Sequence, residues 1–375
     1  MRKNGEPTQK IPPPSKRTAI PQLDAIRVVA MLGVFGHHLW KTVIPVPNTT
    51  LERALEPAFM AATGSVILFN IISGFLLALP HLGPERRPFE GYRDFLQKRF
   101  LRIIPPYYLA LVLFTLANML KFSYPLLPAL GMLAEHLLFV NSLDYSNMFS
   151  NFSHFWYLGL LAQFYLLFPL ILRVFVRIGP AGAALSIMIL CWGGWGVLAW
   201  FIPETPQSPP GFAENLMHFN LPGRLPEFAT GMWLASLWGP SPETVRRGIY
   251  AKPFSLYVAA LALCFVAGAP FYSAMELPLL HIFYVAFSVL LFLFLFLWTP
   301  AARAGRSALI GNFSQQTYMM YIVHHPLFSY CGVTPATVTH SVSNFVLLTA
   351  ILLPLTYLVA VVLNLLAAWI VKRFS

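Results

Sequence analysis

The sequence predicts an all-α, polytopic membrane bundle of about ten transmembrane helices with both termini cytoplasmic. Three observations predict it. Of the 375 residues, 57 % are apolar and only 10 % charged, where an average soluble domain carries about 25 % charge. The apolar residues gather in blocks near the roughly 20 residues that a helix needs to cross a hydrocarbon core of about 30 Å. The basic residues sit in short runs between those blocks. A formal charge of +11 could suggest nucleic acid, but this spacing fits cytoplasmic loops better than a nucleic-acid groove. No nucleic-acid partner is expected.

Residues 1–21 are polar and Pro-rich and contain no apolar h-region, so no cleavable signal peptide is expected and the stretch reads as a disordered cytoplasmic tail. Residues 22–375 read as one membrane domain. Its candidate spans are 23–44, 60–82, 103–120, 155–176, 180–202, 222–238, 254–272, 278–298, 313–331 and 344–371. With the N-terminus inside, 20 of the 25 Lys and Arg fall on cytoplasmic segments. That imbalance favours both termini inside and requires an even number of crossings. The long outer loop 121–154 contains "LLPALGMLAEHLLFV", too short for a span, and reads as a re-entrant or interfacial helix. The three cysteines form no CxxC pair, so neither a zinc site nor a disulfide framework is indicated.

Several polar residues interrupt these spans. The first, "QLDAIRVVAMLGVFGHHLW", carries Asp24, Arg27, His37 and His38. Arg27 and His38 are eleven residues apart, which at 100° per residue is three turns plus about 20°. They share one helix face, about 16 Å apart along the axis. Asp24 lies about 60° to one side of Arg27 and Lys41 about 40° to the other, while His37 points about 100° away from His38. A stripe polar at both ends must face the bundle interior, because lipid would cost several kcal/mol. It reads as a polar cavity or channel, or else as a structural ion pair with a buried histidine.

Ser73-Gly74-Phe75 in the second span permits close backbone approach. Arg99 and Arg102 precede Pro105-Pro106, which open the third span. Such a pair can clamp phosphate oxygens, or simply mark the cytoplasmic side. Tyr107 and Tyr108 are expected at the membrane interface. The fourth span places His154 and Trp156 at its outer boundary, with Gln163 and Tyr165 inside. Arg224 and Glu227 in the sixth pair at i,i+3, either for structure or for function. The ninth carries Thr317, Tyr318, Tyr321, His324 and His325, and Tyr321 and His325 share a face. No HExxH, nucleotide-binding Gly-rich loop or GxSxG occurs, so the histidines read as proton-transfer or hydrogen-bonding groups rather than metal ligands.

Together these segments resemble the membrane acyltransferase-3 family, from about residue 20 to the C-terminus. The similarity rests on Leu23-Asp24-x-x-Arg27 followed by His38, on Ser73-Gly74-Phe75, on "KRFLRIIPPYY", on "HFWYLGLLAQFYLLFP", on "EFATGM" and on "TYMMYIVHHP". The resemblance implies a ten-span O-acyltransferase of a bacterial-type inner (plasma) membrane. It would move an acyl group, acetyl by default, from cytosolic acyl-CoA to a hydroxyl of a cell-surface or lipid-linked glycan. Acyl-CoA would be a co-substrate, with no bound cofactor. His38 and Arg27 would be catalytic, with Asp24 beside them, and Arg99, Arg102 and Ser73 would contact the donor. His154, Trp156, Gln163, Tyr165, Arg224, Glu227, Tyr321 and His324 would support the site. One departure stands out. Leu161-Ala162 occupies positions where the family often has acidic residues, and Glu227 or Asp24 is the available substitute. A proton-coupled transporter, or a glycan-assembly protein with weakened catalysis, would also account for intramembrane Arg, His and Glu.

Overall fold

A computed structural model describes residues 20–84, 86–143, 152–201, 217–238, 254–268 and 278–374. The described residues are helical, with no strand among them. Most of the predicted tail and the ends of the 180–202 and 254–272 spans lie outside them.

The chain opens with α1 (Pro21–Val43), followed by α2 (Thr50–Ala61) and α3 (Gly64–Leu82). Thr49 and Glu52 form a capping box that starts α2. Next come α4 (Tyr92–Phe122) and α5 (Leu126–Leu137), then a 3₁₀ turn (Ser153–Phe155) that leads into α6 (Trp156–Ile178). The fifth segment is α7 (Pro180–Met188), a π turn (Ile189–Gly193) and α8 (Gly194–Phe201). The remainder is α9 (Leu221–Leu237), α10 (Phe254–Gly268), α11 (Pro278–Leu297), the short α12 (Thr299–Ala304), α13 (Ala308–Tyr330) and α14 (Val342–Phe374). Each predicted segment is mostly helical where it is described, although 60–82 is broken by a turn at Ala62–Thr63 between α2 and α3. Five helical stretches are long and apolar enough to cross a membrane: Thr50–Leu82, Tyr92–Phe122, Trp156–Ile178, Pro180–Val197 and Val342–Arg373. Helices α1 and α13 are not among them because polar residues dilute their apolar faces, and those residues build the site.

The third span departs from expectation. Helix α4 begins at Tyr92 and passes straight through Pro105 and Pro106. Two consecutive prolines remove two backbone donors. Close by, the Tyr318 hydroxyl donates to the Ile103 carbonyl at 3.0 Å. The carbonyls that lose a helical donor are those of Leu101 and Arg102, four residues before the prolines, so the bond to Ile103 ties α4 to α13 rather than mending the break. Tyr107 also departs from the interface expected of it. It is fully buried, and its hydroxyl and that of Tyr108 donate to the His136 and Leu137 carbonyls at 3.2 and 2.5 Å. Those carbonyls end α5, where donors from the helix itself run out, and that of His136 also accepts from the Phe139 N–H at 3.2 Å.

Side-chain pairs set the helix directions. Ser314 meets Asp24 and His324 meets His38, so α1 and α13 run parallel. Tyr318 reaches Ile103 and Tyr330 reaches Asn118, so α4 runs parallel to α13 as well. Phe345, early in α14, packs on Trp40 near the end of α1, whereas Asn364, late in α14, bonds Gln316 near the start of α13, so α14 runs antiparallel to both. Helix α6 opposes α4, with Phe168 on Phe95 and Phe155 on Tyr107.

Helices α3 and α9 cross at close range. A Cβ on Gly74 would stand 2.0 Å from the Phe228 carbonyl oxygen, and one on Gly231 would stand 2.0 Å from that of Ile71. Only glycine allows backbones this near. The close approach expected at Ser73-Gly74-Phe75 is therefore present, and the glycine of "EFATGM" is its counterpart.

Candidate active site

Asp24, Arg27 and His38 lie on the face of α1 that meets α13, as their helical phase requires. Near the start of both helices Arg27 Nη1 donates to Asp24 Oδ1 at 2.7 Å, and Ser314 Oγ donates to the same oxygen at 2.7 Å. Near their far ends His38 Nδ1 lies 2.7 Å from His324 Nε2. His37 points elsewhere, its Nδ1 2.9 Å from the Phe59 carbonyl oxygen. Lys41 also leaves the stripe and pairs with Glu56 at 3.4 Å.

The Arg27 end of the stripe opens into a cavity of about 470 Å³. Asp24, Arg27, Arg99, Arg102, Ser73 and Tyr165 all line it. Arg99 and Arg102 are one turn apart on α4, just before the two prolines, and the Arg99 guanidinium lies over the Phe95 ring. Three guanidinium groups and one carboxylate around one cavity leave an excess of positive charge that can attract an anionic group. A second groove, lined by Leu101, Pro105, Ala367 and Lys372 among others, shares Arg102, Pro106 and Asn364 with this cavity.

Tyr321 separates the cavity from a cluster of imidazoles. It lines the cavity, and its hydroxyl donates to the His154 carbonyl at 2.6 Å. Behind it stand His38, His154, His324 and His325. The His154 ring centroid is 5.2 Å from that of His324 and 5.4 Å from that of His325, and His38 is 5.5 Å from His325. His154 stands just before α6, and its side chain is buried among the helices, with Nε2 2.9 Å from the Ile322 carbonyl oxygen of α13. The Nδ1 atoms of His154 and His325 are buried and have no partner. Arg27 and His38 therefore stand on the two sides of Tyr321, joined through α13.

Arg224 and Glu227 form a separate buried cluster. Arg224 Nη1 donates to Glu227 Oε1 at 2.8 Å, and His281 Nε2 lies 2.8 Å from the same oxygen. Asn70 Nδ2 donates to Glu227 Oε2 at 2.6 Å. Arg224 Nε donates to the His218 carbonyl, and its guanidinium lies over Trp156. Gln163 faces away from the cavity as well. Its Nε2 donates to Asn220 Oδ1 at 2.7 Å and its Oε1 accepts from the Leu221 N–H at 2.9 Å, capping the start of α9.

A family model described as an acyltransferase domain matches residues 20–372. The chain belongs to the acyltransferase-3 family. Among curated relatives, a Bacillus subtilis protein provisionally named a peptidoglycan O-acetyltransferase, YrhL, is 25 % identical over 65 % of this chain and 38 % of its own length. The O-acetyltransferase OatA of Staphylococcus aureus is 24 % identical over 59 % of this chain and 35 % of its own length. The chain therefore spans little more than a third of the curated relatives it matches. No solved structure matches it.

The acyltransferase-3 motifs divide between two places. Asp24, Arg27, Ser73, Arg99, Arg102, Tyr165 and Tyr321 meet at the cavity. His38, His154 and His324 meet at the imidazole cluster. Gln163, Trp156, Arg224 and Glu227 join neither. At the family's acidic position Leu161 lines the cavity wall. Glu227 is no substitute there, since both of its oxygens are engaged by Arg224, His281 and Asn70. The carboxylate that does line the cavity is Asp24. Sequence reasoning missed Ser314, Asn70 and His281. A lone polar residue in an otherwise apolar span marked the latter two, whereas nothing in the sequence marked Ser314.

Proposed function

We propose that this chain is a membrane O-acyltransferase of about ten spans with both termini cytoplasmic. It takes an acetyl group from acetyl-CoA on the cytoplasmic side and transfers it to a hydroxyl of a cell-surface or lipid-linked glycan. The single observation that carries this reading is the arginine-lined cavity that shares Tyr321 with the imidazole cluster around His38. The relatives named for O-acetylation, one of them of peptidoglycan, support the choice of group and of acceptor. The helix directions support the topology. Spans one, three and nine run parallel and spans four and ten run opposite to them, as alternating crossings require.

In the proposed reaction Arg99, Arg102 and Arg27, the last held by Asp24, hold the donor's anionic groups, and the thioester reaches past Tyr321 toward His38. His38 takes the proton of the acceptor hydroxyl as its oxygen bonds to the thioester carbon. The C–S bond then breaks, the proton passes to the departing thiolate, and an ester and free CoA result. Purified protein given labelled acetyl-CoA and a cell-envelope extract should produce a base-labile labelled ester. His38→Ala should abolish that product while remaining folded. Normal yield from His38→Ala removes His38 from the reaction. Label that accumulates inside vesicles without covalent attachment points to transport instead.

A further inference from the structure

We propose that His324 is a positioning residue that decides which nitrogen of His38 is the base. The inference rests on His38 acting as the base, but the bonding that leads to it does not. It starts at the Tyr321 backbone carbonyl, which can only accept. His324 Nδ1 lies 2.7 Å from that oxygen, so Nδ1 carries the hydrogen. A neutral imidazole has one N–H, which leaves His324 Nε2 as an acceptor. That atom lies 2.7 Å from His38 Nδ1, so His38 donates from Nδ1 and keeps its lone pair on Nε2.

Ring geometry agrees with this order. The two ring planes are within 5° and their centroids are 5.0 Å apart. That arrangement is coplanar and edge to edge, which directs the lone pair along the bond rather than across a ring face. His38 Nε2 makes no hydrogen bond among the described residues, and unlike the Nδ1 atoms of His154 and His325 it is not sealed from solvent. His38 is only partly buried, so its free nitrogen is the one that a hydroxyl can approach. His324, by contrast, is fully buried. It sits at the end of a chain running carbonyl, His324, His38, open space. Its part is to orient and to fix a tautomer, a role whose loss in a serine protease costs about 10⁴ in kcat.

The test uses the full chain in lipid nanodiscs with ¹⁵N-labelled histidine. Long-range nitrogen–proton NMR correlations report the tautomer, and His38→Gln assigns the His38 signals. The wild type should show His38 protonated on Nδ1 and bare on Nε2. His324→Gln keeps an amide oxygen where Nε2 stood and should preserve that pattern. His324→Ala should mix the tautomers, lower kcat about 100-fold and leave the KM for acetyl-CoA unchanged. His38 protonated on Nε2 in the wild type overturns the proposal, as does a His324→Ala protein whose tautomer or kcat is unchanged. A wild type with the expected tautomer and no acetyl transfer overturns the proposed reaction and leaves the tautomer assignment standing.

Discussion

Removing Arg224 tests whether Glu227 belongs to the framework or to the chemistry. Glu227 is 0 % exposed and Arg224 5 %, and they meet at 2.8 Å. Arg224→Met leaves a carboxylate sealed from water with only His281 and Asn70 near it. Breaking a buried pair in this way costs about 3–5 kcal/mol. Asn70→Ala removes a single interhelical hydrogen bond and should cost about 0.6–1.7 kcal/mol, the range for such bonds in membrane bundles. The double variant Arg224→Met, Glu227→Leu abandons both charges together and should recover much of the loss, giving a coupling energy of several kcal/mol. Stability would be read from reversible unfolding in mixed detergent, followed by tryptophan fluorescence, with acetyl transfer measured per folded molecule. The order should be Arg224→Met worst, then the double variant, with specific activity largely kept in the double. A Glu227→Gln protein as stable as the wild type but devoid of transfer would contradict the framework role, because the carboxylate would then act on substrate.

Replacing Arg99 and Arg102 together by Ala should weaken CoA binding at least about 100-fold, since two charge-assisted hydrogen bonds contribute roughly 1.5–3 kcal/mol each. Titration calorimetry measures it, and unchanged affinity would reduce both residues to topology signals. Gly74→Ala forces a methyl group to within 2.0 Å of the Phe228 carbonyl oxygen. It should destabilise the bundle by about 3 kcal/mol or more, visible in the same unfolding assay; no loss would show that α3 and α9 slide apart freely. Arg303 and Ala336 are both exposed, on the segments before and after α13. In a cysteine-free background, Arg303→Cys and Ala336→Cys should react with an impermeant maleimide from opposite sides of sealed vesicles. Labelling of both from one side would rule out the alternating topology.

Much of this protein was legible in its sequence. Apolar block lengths located the helices, because a hydrocarbon core sets the length of what spans it. Helical phase set His38 and Arg27 on one face and turned His37 away, because 100° per residue is a local property. The same local logic put Arg99 and Arg102 one turn apart ahead of the prolines, where they line the cavity with Arg27. Gly74 was legible as a site of close approach, though not what it approaches.

Other features depended on packing between helices. His154 read as a boundary residue, Gln163 as an intramembrane polar group and Glu227 as a substitute for a missing carboxylate. Each reading depended on a partner remote in sequence. His154 is drawn inward by the Ile322 carbonyl, Gln163 is spent on the start of α9, and Glu227 is closed in by Asn70 and His281. The start of α4 was misplaced because two prolines normally mark a helix boundary, whereas this helix continues through them. Which helices form, and which face of each carries polar groups, follows from the amino-acid order, since periodicity and transfer energy act within one segment. Which polar groups meet, and so which imidazole nitrogen is left free, follows from how the helices pack. Hydrogen-bond partners separated by 286 residues, as His38 and His324 are, leave no local trace.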